Sequence, residues 1–425
     1  MINLNDLREN PDKYIKACRD KKVNFDITQF LNLDLQYRQA KIKLEEKKAL
    51  QNSISKEIPK LLGNDKEEKL SEMKSLSADI KNLTHSFNDI EEEWNKQQLF
   101  IPSVPLLKVP IGETDVDNVP VRFWGDIPNF DFSIKDHSDL GKDLDIIDVE
   151  RGVKIAGARS YFLKGDGARL QHAVLQLACD LLYQKGYTLF DCPHIVNYNA
   201  MMGTSYFPGG EEMAYHLDDR DPDSYLIGTS EVSVCSYKQD EILKLEELPL
   251  RYAGYSPCYR REAGTYGKDT RGLYRVHQFY KIEQVVICKA DEAESEKMHK
   301  EILTNAEEFL QLLELPYRVV DVCTGDMGQG QIYKNDIETW MPSRNAYSET
   351  HSCSTFFDFQ ARRLKIRYKD DQGSNTYCHT LNNTCVASPR ILIPILETYQ
   401  NPDGTVRVPK ALQKYMGGQE LIVKK

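Results

Sequence analysis

The segment from Cys258 to Phe279 holds the chain's densest set of groups suited to phosphate chemistry. It reads Cys258-Tyr259-Arg260-Arg261-Glu262-Ala263-Gly264-Thr265-Tyr266-Gly267-Lys268-Asp269-Thr270-Arg271-Gly272-Leu273 and continues to His277-Gln278-Phe279. Two strand-like runs flank a loop of glycines and basic residues. Glycine lets a backbone approach a polyphosphate closely, and an arginine fork binds two phosphate oxygens at once. Phe279 offers a flat face for a base. On composition alone, an exposed charged hairpin accounts for the same residues equally well. His351 and Cys353 carry metal-binding atoms, but no further ligands cluster with them, and no zinc is expected. The ten cysteines are scattered without a C-x-x-C pair, so reduced thiols of a cytoplasmic protein are the better account. There is no Walker A motif and no G-x-G-x-x-G fingerprint, so any use of ATP needs another design.

The elements that must position these residues follow from the surrounding pattern. Arg251 to Tyr255 and Gln278 to Cys288 read as strands. Ala168 to Lys185, ended by Gly186, and Asp291 to Leu313 read as helices. Leu364 to Tyr368 reads as a strand approaching a turn at Asp371-Gln372-Gly373. Strands and helices separated by long loops predict an α+β domain around a mainly antiparallel sheet. The N-terminal part is different in kind. Phe30, Leu33, Tyr37, Ala40, Leu44, Ile54, Ile58 and Leu61 form one series at three-four spacing, with Lys47 and Gln51 at seam positions. Met73, Leu76, Ile80, Leu83, Phe87, Ile90 and Trp94 form a second. That spacing is the mark of a coiled-coil seam. The turn at Leu62-Gly63-Asn64-Asp65 makes the two helices antiparallel, in a hairpin about 45 Å long. A projecting arm, a hairpin packed on its own body and a dimerisation rod all fit this periodicity. Arg38, Lys41, Lys43, Lys47, Lys48, Lys56 and Lys60 on the first helix are either a strip for phosphates or a solvated face. The prolines from Pro102 to Pro110 mark a linker, giving domains at 1–105 (arm about 28–97) and 106–425. Net charge is −10, which argues against the broad basic field of indiscriminate nucleic-acid binding; no DNA partner is expected. The polar N-terminus is not a signal peptide, and no run approaches the roughly 18 apolar residues of a membrane span.

The Cys258–Phe279 segment resembles motif 2 of the class II aminoacyl-tRNA synthetases, in the form found in seryl-tRNA synthetases. Other segments agree in order. Gly228-Thr229-Ser230-Glu231 is similar to that family's T-x-E loop. Glu349-Thr350-His351-Ser352-Cys353-Ser354, followed by His379 to Thr384 and by Arg390, resembles motif 3. Gly167 to Leu182, with Pro193 beyond, resembles the dimerisation motif 1, and the hairpin resembles the family's tRNA-binding arm. The resemblance spans essentially the whole chain. It implies an antiparallel class II catalytic domain behind an N-terminal coiled-coil arm.

The resemblance also implies roles. Arg260 would bind the ATP α-phosphate and the substrate carboxylate, and Arg390 would cover adenine and reach toward the γ-phosphate. Thr229, Ser230, Glu231, Glu283 and Thr384 would hold L-serine. Arg261, Glu262, Val276, Phe279, Glu349, Thr350, His351 and Ser352 would complete the ATP site, with Glu349 and Ser352 as ligands of Mg2+. Each has a plainer alternative: Glu349 as a surface ion-pair residue, Glu283 as a buried structural acid, Thr384 as a turn residue. The implied reaction is adenylation of serine followed by transfer to the 3′ end of tRNA(Ser), by a cytoplasmic homodimer that binds tRNA across its subunits. Charging of tRNA(Sec) is left open. A ligase that serves a carrier protein would lack the arm, and a non-catalytic relative would have lost Arg260, Glu349 or Arg390. Two departures from the family's usual pattern stand out. Arg261 replaces a Ser or Thr, and Asn383 to Pro389 replaces a Gly-Ser-Gly run before Arg390.

Overall fold

The computed structural model describes residues 1–218, 220–264 and 271–424. The chain divides into two compact units, Met1–Val104 and Pro105–Lys425.

The first unit is helical. Two short helices, α1 (Leu4–Glu9) and α2 (Pro11–Asp20), precede the long α3 (Ile27–Glu57) and α4 (Asn64–Gln98). Asp26 caps α3 by accepting from the Gln29 amide at 3.0 Å. Gly63, at φ +63°, makes the reversal into α4. The seam buries Leu44, Ile54 and Leu76, and its aromatic end stacks Tyr37 on Trp94 with ring centroids 4.2 Å apart. The two polar seam residues are used across the hairpin. Lys47 Nζ lies 3.5 Å from Asp79, and Gln51 donates to Ser77 Oγ at 2.9 Å. At the root, Asp34 is buried and accepts from Arg8 at 2.7 and 2.8 Å, Arg38 at 3.0 Å and the Trp94 indole at 3.1 Å. Burial opposes its charge, but the hydrogen bonds from Arg8 and Trp94 outweigh this and hold its pKa below the usual carboxylate range.

The second unit is built on an eight-stranded sheet. In chain order its strands are β1 (Val119–Trp124), β2 (Thr188–Asp191), β3 (Leu250–Tyr259), β4 (Gln278–Cys288), β5 (Tyr317–Asp321), β6 (Tyr333–Met341), β7 (Ala346–Phe357) and β8 (His379–Ser388). Across the sheet they lie β1-β5-β6-β7-β8-β4-β3-β2, all antiparallel except the β2–β3 pair. One face is covered by α5 (Asp166–Gln184) and α6 (Glu292–Leu312). Leu170, Val174, Ala178, Ile302, Ala306 and Phe309 pack there against Ile282, Val286, Leu381 and Val386. The opposite face is divided: Tyr252, Val285 and Ile287 bury a second apolar cluster with Val234, Cys235, Leu364 and Ile366, and polar groups hold the rest. Strand alternation sends Lys281 and Glu283 to it while Ile282 enters the core.

The Leu364–Tyr368 strand reading is corrected. Leu364 closes a helix that starts at Phe359, and Lys365 turns the chain at φ +55°, so only Arg367–Lys369 is strand. A short apolar run beside a helix end does not reveal its own period. The turn that follows is present. Asp370 Oδ1 accepts from the Gln372 and Ser374 amides, and Gly373 takes φ +77°.

Candidate active site

A cleft opens on the sheet face that carries Lys281 and Glu283. Its centre is the β3–β4 hairpin, where Phe279 pairs with Cys258 and Glu283 with Gly254. Arg260 leaves β3 here. Its amide donates to the His277 carbonyl at 3.0 Å, its Nε donates to the Gly228 carbonyl at 3.1 Å, and its guanidinium lies 5.2 Å from the Phe279 ring centroid. Glu262 has φ +52° and accepts from Arg275 at 2.8 Å. The loop tip of this segment, residues 265–270, lies outside the described residues.

Two β-bulges decide which side chains reach the cleft. In β7, Glu349 pairs with Glu338 and His351 with Ile337, so Thr350 is the extra residue. In a regular strand, residues three apart point to opposite faces. The bulge cancels one step and puts Glu349 and Ser352 on the same face. In β8, Thr384 pairs with Glu283 and Val386 with Ile282, so Cys385 is the extra residue. That places Thr384 opposite Glu283, to which its hydroxyl donates at 3.2 Å. A close approach supplies the other wall. A Cβ on Gly254 would meet Ser230 Oγ at 2.8 Å, and Ser230 donates to the Gly254 carbonyl at 3.1 Å. The bare glycine thus lets the Thr229–Glu231 segment lie against the strand beside Glu283.

The charges are balanced locally. Glu231 accepts from Gln360 at 2.7 Å, and Gln360 is held in turn by Thr380 at 2.6 Å. Burial and the nearby charge of Glu283 push the Glu231 pKa up to about 7. Lys281 forms a buried ion pair with Glu283. At the other end, Arg390 donates to the carbonyls of Tyr274 and Glu349, each at 3.1 Å, and lies 4.4 Å from the Tyr274 ring centroid. Glu349 is half-exposed at the mouth of the cleft; surrounding protein partly desolvates it, but the charges of Arg390, Lys334 and Arg260 prevail and hold its pKa below the usual range. Asp336, beside Ser352, is raised to about 7 by burial despite Lys334 at 3.0 Å. The pocket therefore sets carboxylates and a hydroxyl at one end and arginines with a carboxylate at the other. Such a set has the chemistry to receive a small amino acid and a polyphosphate.

The cleft lining includes Thr229, Glu231, Arg260, Glu262, Val276, Phe279, Glu283, Glu349, Thr350, Ser352, Thr384 and Arg390. Three other residues read from the sequence do not line it. Ser230 is spent on holding Gly254. Arg261 is exposed, and its amide donates to the Met213 carbonyl at 2.9 Å. His351 is buried behind the cleft floor. Other lining residues went unread: Lys281, Tyr274, Asn382 and Ala387. Lys281 was legible, since it stands two residues before Glu283 on a predicted strand. Asn382 and Ala387 depend on the β8 bulge, which leaves no mark in composition.

Residues 1–105 match the family model for the seryl-tRNA synthetase N-terminal domain, and residues 215–399 match that for the tRNA synthetase class II core domain (G, H, P, S and T). The chain is 44% identical to the serine–tRNA ligase of Deinococcus radiodurans, over 99% of each chain. It is 41% identical to that of Nitrosopumilus maritimus, over 99% of this chain and 100% of the relative. Among solved structures, it is similar to seryl-tRNA synthetase from Pyrococcus horikoshii complexed with ATP. The TM-score is 0.92 at 35% identity, and all of both chains is covered. The cytoplasmic serine–tRNA ligase of Naegleria fowleri in complex with AMP gives a TM-score of 0.85 at 33% identity, covering 98% of this chain and 96% of that one.

Proposed function

Because this chain belongs to the seryl-tRNA synthetase family, its reaction is the ATP-dependent joining of serine to tRNA(Ser), and we propose which of its residues carry each step. In the first step a serine carboxylate oxygen attacks the α-phosphorus of ATP. The bond to the β-phosphate oxygen breaks, and pyrophosphate leaves. Arg260 sits where the two anions meet and neutralises both. Phe279, Val276 and Glu262 receive the adenine, and Arg390 closes over it toward the γ-phosphate. In the second step a terminal ribose hydroxyl of tRNA takes the seryl group, and AMP leaves. No protein nucleophile is required; positioning and charge neutralisation supply the rate.

The observation that carries this reading is the Thr384–Glu283 pair beside Glu231. Glu231 meets the ammonium and Glu283 accepts the serine hydroxyl. Thr229 and Thr384 supply walls beside them. A site built to bond a hydroxyl rejects an analogue lacking it by about 10⁴ or more, whereas excluding one extra methyl rests on the wall. We therefore expect Thr384→Ala to lower the preference for serine over both threonine and alanine in pyrophosphate exchange. Wild-type exchange driven best by another amino acid would overturn the assignment.

The cleft also suits a magnesium ion. Glu349 stays ionised and half-exposed, Ser352 shares its face, and the buried Oδ1 of neighbouring Asp336 has no hydrogen-bond partner among the described residues. All are hard oxygen donors. When bound, Mg2+ would offset phosphate charge; Glu349 and Ser352 would hold it. No three-residue metal cluster of His, Cys, Asp or Glu occurs among the described residues.

The N-terminal unit is assigned to tRNA, with the hairpin as its reaching element. A second copy of the chain is assigned to the exposed apolar side chains Ile155, Phe162 and Tyr183, which flank or lie on α5, with tRNA bound across the two subunits. A cytoplasmic location fits the ten free thiols. No helix among the described residues is long and apolar enough to cross a membrane.

A further inference from the structure

The extra residues of the two bulges are joined through one side chain. His351 Nε2 lies 3.1 Å from the Cys385 carbonyl oxygen, and its Nδ1 lies 2.8 Å from Thr350 Oγ1. A carbonyl only accepts, so Nε2 carries the proton and Nδ1 is an acceptor. Thr350 Oγ1 also lies 3.3 Å from the Ile337 carbonyl, but Nδ1 is the nearer acceptor and takes its proton, while Thr339, with its hydroxyl 2.7 Å away, donates to Thr350. The chain Thr339 to Thr350 to His351 to Cys385 is complete, and each of the four is buried. Thr350 and Cys385 are the two residues the ladders leave over. The β7–β8 ladder itself begins at Cys353 opposite Asn383. Two residues before it, the imidazole does the joining.

A bulge is held by its surroundings, because the extra residue has lost its ladder partner. If the β7 bulge relaxed by one position, Glu349 and Ser352 would face opposite sides of the sheet. If the β8 bulge did, Thr384 would leave Glu283. We propose that His351 is a positioning residue that couples the magnesium and phosphate end of the cleft to the serine end, by fixing both bulges through one ring. The proposal rests on the roles given above to Glu349, Ser352, Glu283 and Thr384. It gives His351 a part other than contact with ATP: it sets the geometry of two half-sites at once.

The test is calorimetric binding of serine to the full chain without ATP or Mg2+, and pyrophosphate exchange reading KM for serine, the serine-to-threonine ratio, and the Mg2+ concentration for half-activation. His351→Phe keeps a ring and removes both bonds. We expect kcat/KM for serine to fall at least tenfold, the serine preference to narrow, and Mg2+ half-activation to rise, all together. Thr350→Val should move the same quantities less. His351→Gln, which keeps one donor and one acceptor, should recover part of the loss. A folded His351→Phe with these quantities within twofold of wild type, or with only one end affected, overturns the coupling. If His351→Phe does not fold, Thr350→Val decides by the same criterion. Glu349→Gln and Thr384→Ala, run alongside, separate the two ideas. Losses there with silence at His351 sink the coupling alone, and silence in all of them sinks the site assignment as well.

Discussion

At the residue scale, Arg260 is committed to the site by three backbone and ring contacts before any substrate arrives. Such a group loses little on reorganisation, and one preorganised donor aimed at developing charge contributes about 10²–10³ in rate. Arg260→Ala should therefore lower serine-dependent pyrophosphate exchange by at least that factor with an unchanged circular dichroism spectrum. Near-normal exchange by a folded variant would remove it from the site. Glu231 offers a second prediction. Its pKa is raised to about 7, so its charged form is complete above that pH and falls about tenfold per unit below it. Only the charged form pairs with an ammonium, so kcat/KM for serine should decline on the acid side with an apparent pKa near 7. Glu283→Gln removes a charge that raises Glu231, and the acid limb should move to lower pH. A limb that stays in place assigns the titration elsewhere. Arg260 and Phe279 are legible from their own residue types in a regular hairpin. Glu283 and Thr384 share a pocket only by the family resemblance; spacing alone does not pair them, since the pairing exists through a one-residue offset in β8.

At the element scale, the hairpin of α3 and α4 was legible almost to its ends, because three-four spacing is set by the helix itself. Its buried acid was not. Asp34 looks like one more solvated charge until Arg8, twenty-six residues away, folds back on it. The helix before Arg367 was missed because its apolar residues serve two elements at once. The hairpin's independence gives a third prediction. Its contacts described above stay within Met1–Val104, while every cleft residue lies beyond Pro105. Deleting Thr28–Gln97 with a short bridge should leave serine-dependent exchange largely intact and abolish charging of tRNA. Equal loss of both activities in a folded deletion would deny the hairpin a role in tRNA binding.

At the scale of the whole molecule, a chain of net charge −10 that handles RNA must confine its attraction to a few places. Of the six basic residues on α3 and Lys60 in the turn after it, Arg38 is engaged by Asp34 and Lys47 by Asp79, leaving Lys41, Lys43, Lys48, Lys56 and Lys60 exposed. Each phosphate they neutralise should add about 0.7–0.9 to the slope of log affinity against log salt. The KM for tRNA should thus rise steeply with KCl while exchange stays flat. Lys41→Glu with Lys48→Glu should lower the slope by about 1.4–1.8. An unchanged slope would mean the strip is only a solvated face. The stacked root of the hairpin has a further use. Trp94 is one of three tryptophans, and the other two, Trp124 and Trp340, stand in the second unit. With those two replaced by phenylalanine, the remaining indole, stacked on Tyr37 and hydrogen-bonded to Asp34, becomes an intrinsic fluorophore. Its emission then follows the seam of the arm alone as RNA is titrated in, with no label attached.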